Sequence, residues 1–226
     1  MFDAELCARF QRAVADLTAE VGAAGINIAD DDVDAEVRRW LDGPDSALAW
    51  AGPGITPDEW LFITTLYGTM TLDGQRTHIQ KFFPLFVRQV NRDIRNFTPA
   101  LLAEWRLRQP WMKTRLCRMA EVLLERGQTC GEYVDTLRDL ESRATLENPM
   151  PAFRQIMRDH RAGEGKTLSV FIRDCVKGNC FPIDSRVASQ LERYGLPKDE
   201  QGLVGLCLDF GLNPRRIARI FYQAPG

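Results

Sequence analysis

The sequence predicts an all-α protein. Apolar residues recur at helical spacing in one segment after another, and no segment shows the period-two alternation of a half-buried strand. Several segments also begin with Thr or Asp followed by Pro or acidic residues, and end at Gly, as helices do. With 45% hydrophobic residues in a chain of 226, a full core can form without disulfides or structural metals.

In the first half of the chain, the helix starts and stops are marked by capping residues. Phe10 and Leu17 lie on the apolar face of a first helix that ends at Gly22, and the acidic run 30–32 precedes a second one. Thr56 and Pro57 start a third helix, which we expect to reach a turn at 72–74. The predicted helices span residues 3–22, 33–42, 57–71, from that turn to 90, 99–105 and 111–126.

The second half continues in the same way. Gly127 closes the sixth helix, and the Asn-Pro-Met-Pro segment at 148–151 is a clear break. Lys166 opens a helix after a short glycine-containing turn, and Asp184 caps the next one. The predicted helices span residues 130–142, 152–160, 166–176, 185–194, 199–210 and 213–223.

Charge is distributed unevenly along the chain. The net charge is −2, yet residues 1–60 contain thirteen acidic and four basic residues, and the remainder contains 18 acidic and 25 basic ones. An acidic front and a basic body are compatible with a nucleic-acid face in the second part. The sequence has no long apolar run and no basic leader at its start, so we expect a cytoplasmic protein without a membrane partner.

The stretch 160–187 carries the chemical argument. It is predicted to form a helix, a glycine-rich hairpin, a helix, a loop and an Asp-capped helix. Gly163 and Gly165 let a DNA phosphate approach backbone N–H groups. Lys166 lies in the first turn of a helix, whose dipole favours the neutral amine that a nucleophile needs. Asp184 can cap a helix with one oxygen and offer the other to a reacting group.

With these residues the chain resembles the helix-hairpin-helix DNA glycosylase superfamily, which includes endonuclease III and the 8-oxoguanine glycosylases. The family has a glycine hairpin ending in Lys and, about eighteen residues later, an Asp at a helix start. Lys166 and Asp184 have this spacing, and the segment 183–187 (Ile-Asp-Ser-Arg-Val) is similar to the family's Asp segment. The resemblance covers about residues 57–195 and is strongest at 160–190.

The resemblance implies a fold and a domain organisation. We expect two helical lobes that carry the helix-hairpin-helix motif, with a cleft between them. Residues 1–56 would pack with the C-terminal lobe, 57–145 would form the central lobe, and 146–226 would supply the hairpin and the last helices. The implied partner is double-stranded DNA with a modified base, bound by a monomer, and the protein would be nucleoid-associated if it is bacterial or archaeal.

The resemblance also implies a reaction. Lys166 would attack the anomeric carbon and displace the base, Asp184 would support the charge that develops on the sugar, and β-elimination would follow. Cys207 is the only cysteine after Cys180, so the iron–sulfur loop found at the C-terminus of endonuclease III is absent, and no cofactor is expected beyond a monovalent cation at the hairpin. The leading expectation for the substrate is therefore an oxidised purine such as 8-oxoguanine, and an oxidised pyrimidine or an enzymatically modified base stays open.

Further residues are predicted to contact the DNA. The candidates for contacts to the phosphates are Gly163, Gly165, His160, Thr167, Arg115 and Arg186. The candidates for stacking on an extruded base are Trp60, Trp111, Phe221 and Tyr222. The family's intercalating Gln would fall near Thr69. Two other functions stay open, a helix-hairpin-helix module that binds DNA without chemistry and a helical protein–protein adaptor.

Overall fold

The computed structural model describes residues 2–26, 28, 33–43, 48–68, 70–160 and 165–225. Throughout these ranges the regular structure is helical and contains no strand, so the predicted all-α class is confirmed. The regular structure also includes one 3₁₀ turn and one π-helical turn, here called the π-turn. The elements are α1 (Ala4–Ala23), α2 (Val33–Asp42), α3 (Pro57–Leu66), α4 (Leu72–Gln89), the 3₁₀ turn (Ile94–Asn96), α5 (Pro99–Glu104), α6 (Pro110–Arg126), α7 (Cys130–Glu141), α8 (Pro151–His160), α9 (Gly165–Phe171), the π-turn (Ile172–Val176), α10 (Ser185–Arg193), α11 (Glu200–Asp209) and α12 (Pro214–Gln223).

The predicted helix starts at Thr56 and Asp184 are confirmed, and both rest on side-chain caps. Glu59 N donates to Thr56 Oγ1 at 3.3 Å, while Glu59 Oε2 accepts from Thr56 N at 2.9 Å. This reciprocal pair is a capping box, and it satisfies two backbone donors that the first turn would leave unpaired. Asp184 caps α10 in the same sense, because its carboxylate accepts from Val187 N.

The predicted helix 57–71 is too long, and the predicted turn at 72–74 is wrong. α3 ends at Leu66, and α4 begins at Leu72. Thr71 Oγ1 accepts from Gly74 N at 3.2 Å, so this segment is a capped helix start. The Asp73 carboxylate lies in the first turn, where its negative charge interacts favourably with the positive end of the helix dipole. The acidic run 30–32 before α2 lies outside the described residues.

The predicted helix 166–176 is correct in extent, but it is not a uniform α-helix. It is α-helical through Phe171 and then widens into the π-turn. The turn ends at Lys177, whose backbone is left-handed (φ 66°), and Gly178 N donates to the Ile172 carbonyl at 2.9 Å. A Cβ at Gly178 would lie 2.8 Å from Ile172 Cγ2, so this close approach requires glycine.

The helices pack in two sets of neighbours. α12 packs against α1, α10 and α11. α3 packs against α4, α6, α7 and α9, and α8 packs against α6, α7 and α9. α9 is thus held by two other helices, and the residues it carries have a fixed backbone position.

An aromatic cluster fills the interior beside α3 and α4. The Phe62 ring stacks on Phe86 at a centroid distance of 4.4 Å and meets Trp105 edge-on at 6.2 Å. All three side chains are buried. Each buries a large apolar area, and together they fix α3, α4 and the segment after α5 relative to one another.

Candidate active site

Lys166 and Asp184 lie side by side. Lys166 is the second residue of α9, and Asp184 is the N-cap of α10. Lys166 Nζ is 3.9 Å from Asp184 Oδ2, while Asp184 Oδ1 accepts from Val187 N at 2.9 Å. One carboxylate oxygen therefore caps the helix and the other faces the amine. The two side chains are 43% and 17% exposed, so a substrate can reach both of them.

The Lys166–Asp184 pair opens onto a cavity of about 740 Å³. This volume lies within the range of about 300–1,000 Å³ that is typical of small-molecule sites. The walls come from α2, the segment before α4, α9 with the π-turn, the start of α10, and α12. Besides Lys166 and Asp184, the functional side chains that line it include Glu36, Trp40, Tyr67, Arg173, Asp174, Arg186, Arg219 and Tyr222.

Two partly buried glutamates, Glu141 and Glu200, hold the loop that carries Asp184. Glu141 Oε1 accepts from Asn179 N at 2.8 Å, and Glu200 Oε1 accepts from Phe181 N at 2.7 Å and from the Ser169 hydroxyl. Burial raises the pKa of both carboxyl groups, although these hydrogen bonds favour the ionised forms. The loop between the π-turn and α10 is therefore fixed at two backbone positions, and so is the approach of Asp184 to α9.

Replacing Glu200 with alanine is expected to lower the free energy of unfolding by about 3 kcal/mol, because it leaves the buried Phe181 N and Ser169 hydroxyl without their acceptor. Urea denaturation followed by circular dichroism measures this change. The matched control is Glu104→Ala, at an exposed position, for which a change within about 0.5 kcal/mol is expected. Equal effects in the two variants would contradict the structural role of Glu200.

The structure places Arg115 and His160 in the interior, not on the surface where a DNA phosphate would lie. Each is 1% exposed. The Arg115 guanidinium lies 4.6 Å from the centroid of the Trp111 ring and donates to the Thr167 hydroxyl, which is itself buried. Among the described residues, neither ring nitrogen of His160 has a hydrogen-bond partner. The helical pattern gave their chain positions but not the packing of α6 and α8 over them.

Burial lowers the pKa of His160 from 6.5 to about 3, and the nearby Arg115 charge acts in the same direction. Between these two values the unfolded chain binds a proton here that the folded chain does not. The free energy of unfolding is therefore expected to fall as the pH decreases below 6.5, by up to about 1.4 kcal/mol per pH unit, and to be unaffected by this group above it.

Urea denaturation of the wild type and of His160→Gln at about pH 7 and about pH 5 measures this dependence. The wild type is expected to lose about 1–2 kcal/mol more than the variant over that interval. Parallel pH dependence in the two proteins would show that His160 is protonated in the folded state.

Of the four residues proposed to stack on a base, only Tyr222 lines the cavity. Trp60 and Phe221 belong to the hydrophobic core, and Trp111 packs beneath the Arg115 guanidinium, outside the lining. Helical periodicity identifies an inward face, but it does not distinguish a face that meets other helices from one that meets a cavity. The distinction needs the positions of the neighbouring helices.

Sequence reasoning missed two aromatic side chains that do line the cavity, Trp40 and Tyr67. Their ring centroids are 6.0 Å apart, and the rings are tilted by 58°. Burial and the nearby Asp174 carboxylate raise the pKa of the Tyr67 hydroxyl, so it stays a neutral donor. One available signal was that Tyr67 directly follows α3, two positions before Thr69, near which the resemblance places the intercalating residue.

The remaining residues predicted to contact DNA differ in whether they line the cavity. Arg186 lines the cavity, with its guanidinium 5.4 Å from the centroid of the Tyr222 ring, and Thr167 lines it as well. Gly165 is the first residue of α9. Gly163, the cation site predicted at the hairpin, and Thr69 lie outside the described residues.

Within the described ranges no group of three or more His, Cys, Asp or Glu side chains is arranged to hold a metal ion. None of the helices described here has the length and apolar character needed to cross a bilayer.

The chain matches no protein-family model, no curated protein and no solved structure. Its function is therefore argued from the residues around the cavity.

Proposed function

We propose that the chain is a DNA glycosylase with associated AP lyase activity, which removes a damaged or modified base from double-stranded DNA. The observation that carries the proposal is the 3.9 Å distance between Lys166 Nζ and Asp184 Oδ2 at the wall of a cavity of about 740 Å³. An amine and a carboxylate so close together can act on one sugar carbon. The eighteen-residue spacing and the Asp-capped helix add the family resemblance as support.

In the proposed reaction, the neutral Lys166 amine attacks the anomeric carbon of an extruded nucleotide. The glycosidic bond breaks, its electron pair leaves with the base, and the base takes up a proton. Opening of the sugar ring gives an iminium that joins Nζ to the former anomeric carbon. Loss of a 2′-proton then eliminates the 3′-phosphate and nicks the strand, and water releases the lysine.

Asp184 has two tasks in this proposal. Its Oδ2 atom is within 3.9 Å of the amine, so it can accept the proton that the attacking nitrogen loses. Its negative charge also stabilises the positive charge that develops on the sugar, in a partly buried position where water screens it less. The cap to Val187 N keeps the carboxylate from turning away.

The rest of the cavity supplies room for the extruded base. Extrusion costs a few kcal/mol of stacking, which contacts to aromatic side chains offset. Trp40, Tyr67 and Tyr222 provide such surfaces around the cavity. We place the duplex at the cavity mouth, in the cleft expected between the two helical lobes, and bound by a monomer.

Borohydride trapping tests the proposal directly, because the reductant converts the iminium into a stable amine. The purified wild-type protein is incubated with duplexes that each carry one modified base or one abasic site, in the presence of borohydride. A covalent protein–DNA adduct on the abasic duplex and on at least one modified duplex is expected, detected by denaturing gel electrophoresis and located at Lys166 by peptide mass spectrometry.

The other two functions give different results in this experiment. A helix-hairpin-helix module without chemistry would bind the duplexes in a salt-dependent way and form no adduct. A protein–protein adaptor would show neither adduct nor salt-dependent DNA binding. Either result would overturn the glycosylase proposal.

A further inference from the structure

The cavity lining contains a largely buried ion pair that the proposed reaction does not use. Arg173 Nε and Nη2 each lie 2.7 Å from an oxygen of Asp174, and the side chains are only 15% and 6% exposed. Side chains of successive residues do not face each other in a regular α-helix. This pair occurs in the π-turn, and such turns are frequent at functional sites.

The ion pair fixes the orientation of the Arg173 guanidinium. Its Nε and one side of Nη2 are occupied by the carboxylate, and within the described chain Nη1 donates to no protein atom. The remaining edge, formed by Nη1 and Nη2, carries two parallel N–H donors. Arg173 lines the cavity, and an edge turned towards a ligand there would already be oriented, so its entropic cost of binding would be small.

The position of Arg173 relative to Lys166 suits the far edge of an extruded base. The two residues are seven positions apart, which is about two helical turns and about 10 Å along the axis. Lys166, Val170 and Arg173 all line the cavity, so they share one face of the helix. With the anomeric carbon at Lys166, a purine would extend along this face towards the guanidinium, between Tyr67 and Tyr222.

Building on the proposed function, we infer that Arg173 recognises the O6 and N7 atoms of an extruded 6-oxopurine whose N7 carries no hydrogen. The two N–H groups of the guanidinium edge can donate to two adjacent acceptors, here O6 and N7. Arginine recognises guanine in duplex DNA through these same two atoms. Asp174 is a positioning residue, which holds the guanidinium in the plane of the base. The chemical class is that of hypoxanthine and xanthine.

This inference replaces the 8-oxopurine expected from the resemblance. An 8-oxopurine carries a hydrogen on N7, so it would present a donor to a donor and leave both without a partner in a buried site. An unmodified guanine shares the O6 and N7 edge, but it is held in a normal base pair. Extrusion costs least for a mispaired or damaged base, and this supplies the remaining selectivity.

The inference is tested by combining one change in the base with one change in the protein and measuring DNA binding. All proteins carry Lys166→Ala, so that they cannot cleave. The two duplexes are identical except that one contains hypoxanthine and the other contains 7-deazahypoxanthine, in which C–H replaces N7. The dissociation constants are measured by fluorescence anisotropy. The Lys166→Ala protein is expected to bind the hypoxanthine duplex about ten- to a hundredfold more tightly.

Adding Arg173→Lys, which keeps the charge but replaces the planar pair of donors with a single ammonium, is expected to reduce this ratio by at least about fivefold. Because the readout is a ratio within one protein, a general loss of stability or of phosphate contacts cancels. The matched control is Arg88→Lys, at an exposed position on α4, where the ratio is expected to stay unchanged.

The outcomes separate this inference from the proposed function. Equal binding of the two duplexes, or a ratio that Arg173→Lys leaves intact, overturns the inference; an adduct of the wild type with the abasic duplex then still supports the glycosylase. A ratio that depends on Arg173 without any abasic adduct supports base recognition and overturns the lyase chemistry. Failure of both measurements overturns both.

Discussion

The Lys166→Ala variant is expected to form no borohydride-trapped adduct and to lose at least about a thousandfold in the rate of base release. Lys166 Nζ is the amine at the cavity wall that lies beside Asp184, and alanine leaves no nucleophile in its place. The side chain is 43% exposed, so its removal leaves little buried space and the fold should be retained. Single-turnover kinetics with a modified duplex, followed by adduct formation on an abasic duplex, measures the loss.

The control for this variant is Lys198→Ala. Lys198 pairs with Glu192 on the surface, with its side chain 48% exposed, and does not line the cavity. Surface ion pairs contribute little, so activity and stability should match the wild type. Retention of the adduct in Lys166→Ala would move the nucleophile to another amine and end the assignment of Lys166.

The Asp184→Asn variant is expected to release the base about a hundredfold to ten-thousandfold more slowly, with almost unchanged stability. Asn is as good an N-cap as Asp, so Val187 N keeps an acceptor and α10 keeps its start. The amide cannot take a proton from Lys166 Nζ, which lies 3.9 Å from Oδ2 in the wild type, and it has no charge to stabilise the sugar cation. Single-turnover kinetics and thermal denaturation measure the two quantities separately.

A second cap provides the matched control. Asp3 caps α1 through a hydrogen bond from Leu6 N at 3.1 Å, on an element that does not line the cavity. Asp3→Asn makes the same chemical change at the same kind of position, so its rate should equal that of the wild type. A similar loss of rate in both variants, or a large loss of stability in Asp184→Asn, would mean that Asp184 acts through the fold.

The positions of most helices could be predicted from the sequence because their ends are determined locally. The side chains of Thr56 and Asp184 accept hydrogen bonds from backbone N–H groups three residues later, and such short-range interactions are visible in the sequence. Where two local signals competed, the prediction was wrong. The Leu-Asp-Gly segment at 72–74 resembles a turn, yet Thr71 caps a helix there.

The two central residues of the candidate site could be predicted from the sequence, but the residues that form the walls of the cavity could not. Lys166 and Asp184 follow from the resemblance, whose eighteen-residue spacing spans only α9, the π-turn and one loop. By contrast, the burial of Arg115 and the exposure of Tyr67 to the cavity depend on helices far away in the sequence. No local pattern indicated that the helix after Phe171 would widen into a π-turn.

The continuity of α9 into the π-turn has a consequence for how substrates are sorted. The amine at Lys166 and the guanidinium at Arg173 are attached to one stretch of backbone, so their separation does not depend on how far the protein opens or closes around DNA. A base that fits the guanidinium would bring its own sugar to the amine, whereas a base of another length would leave the sugar out of reach. The choice of base and the cleavage of its sugar bond would then depend on one fixed distance, that between the backbone positions of Lys166 and Arg173. The selectivity for the base would be retained even if other parts of the molecule moved.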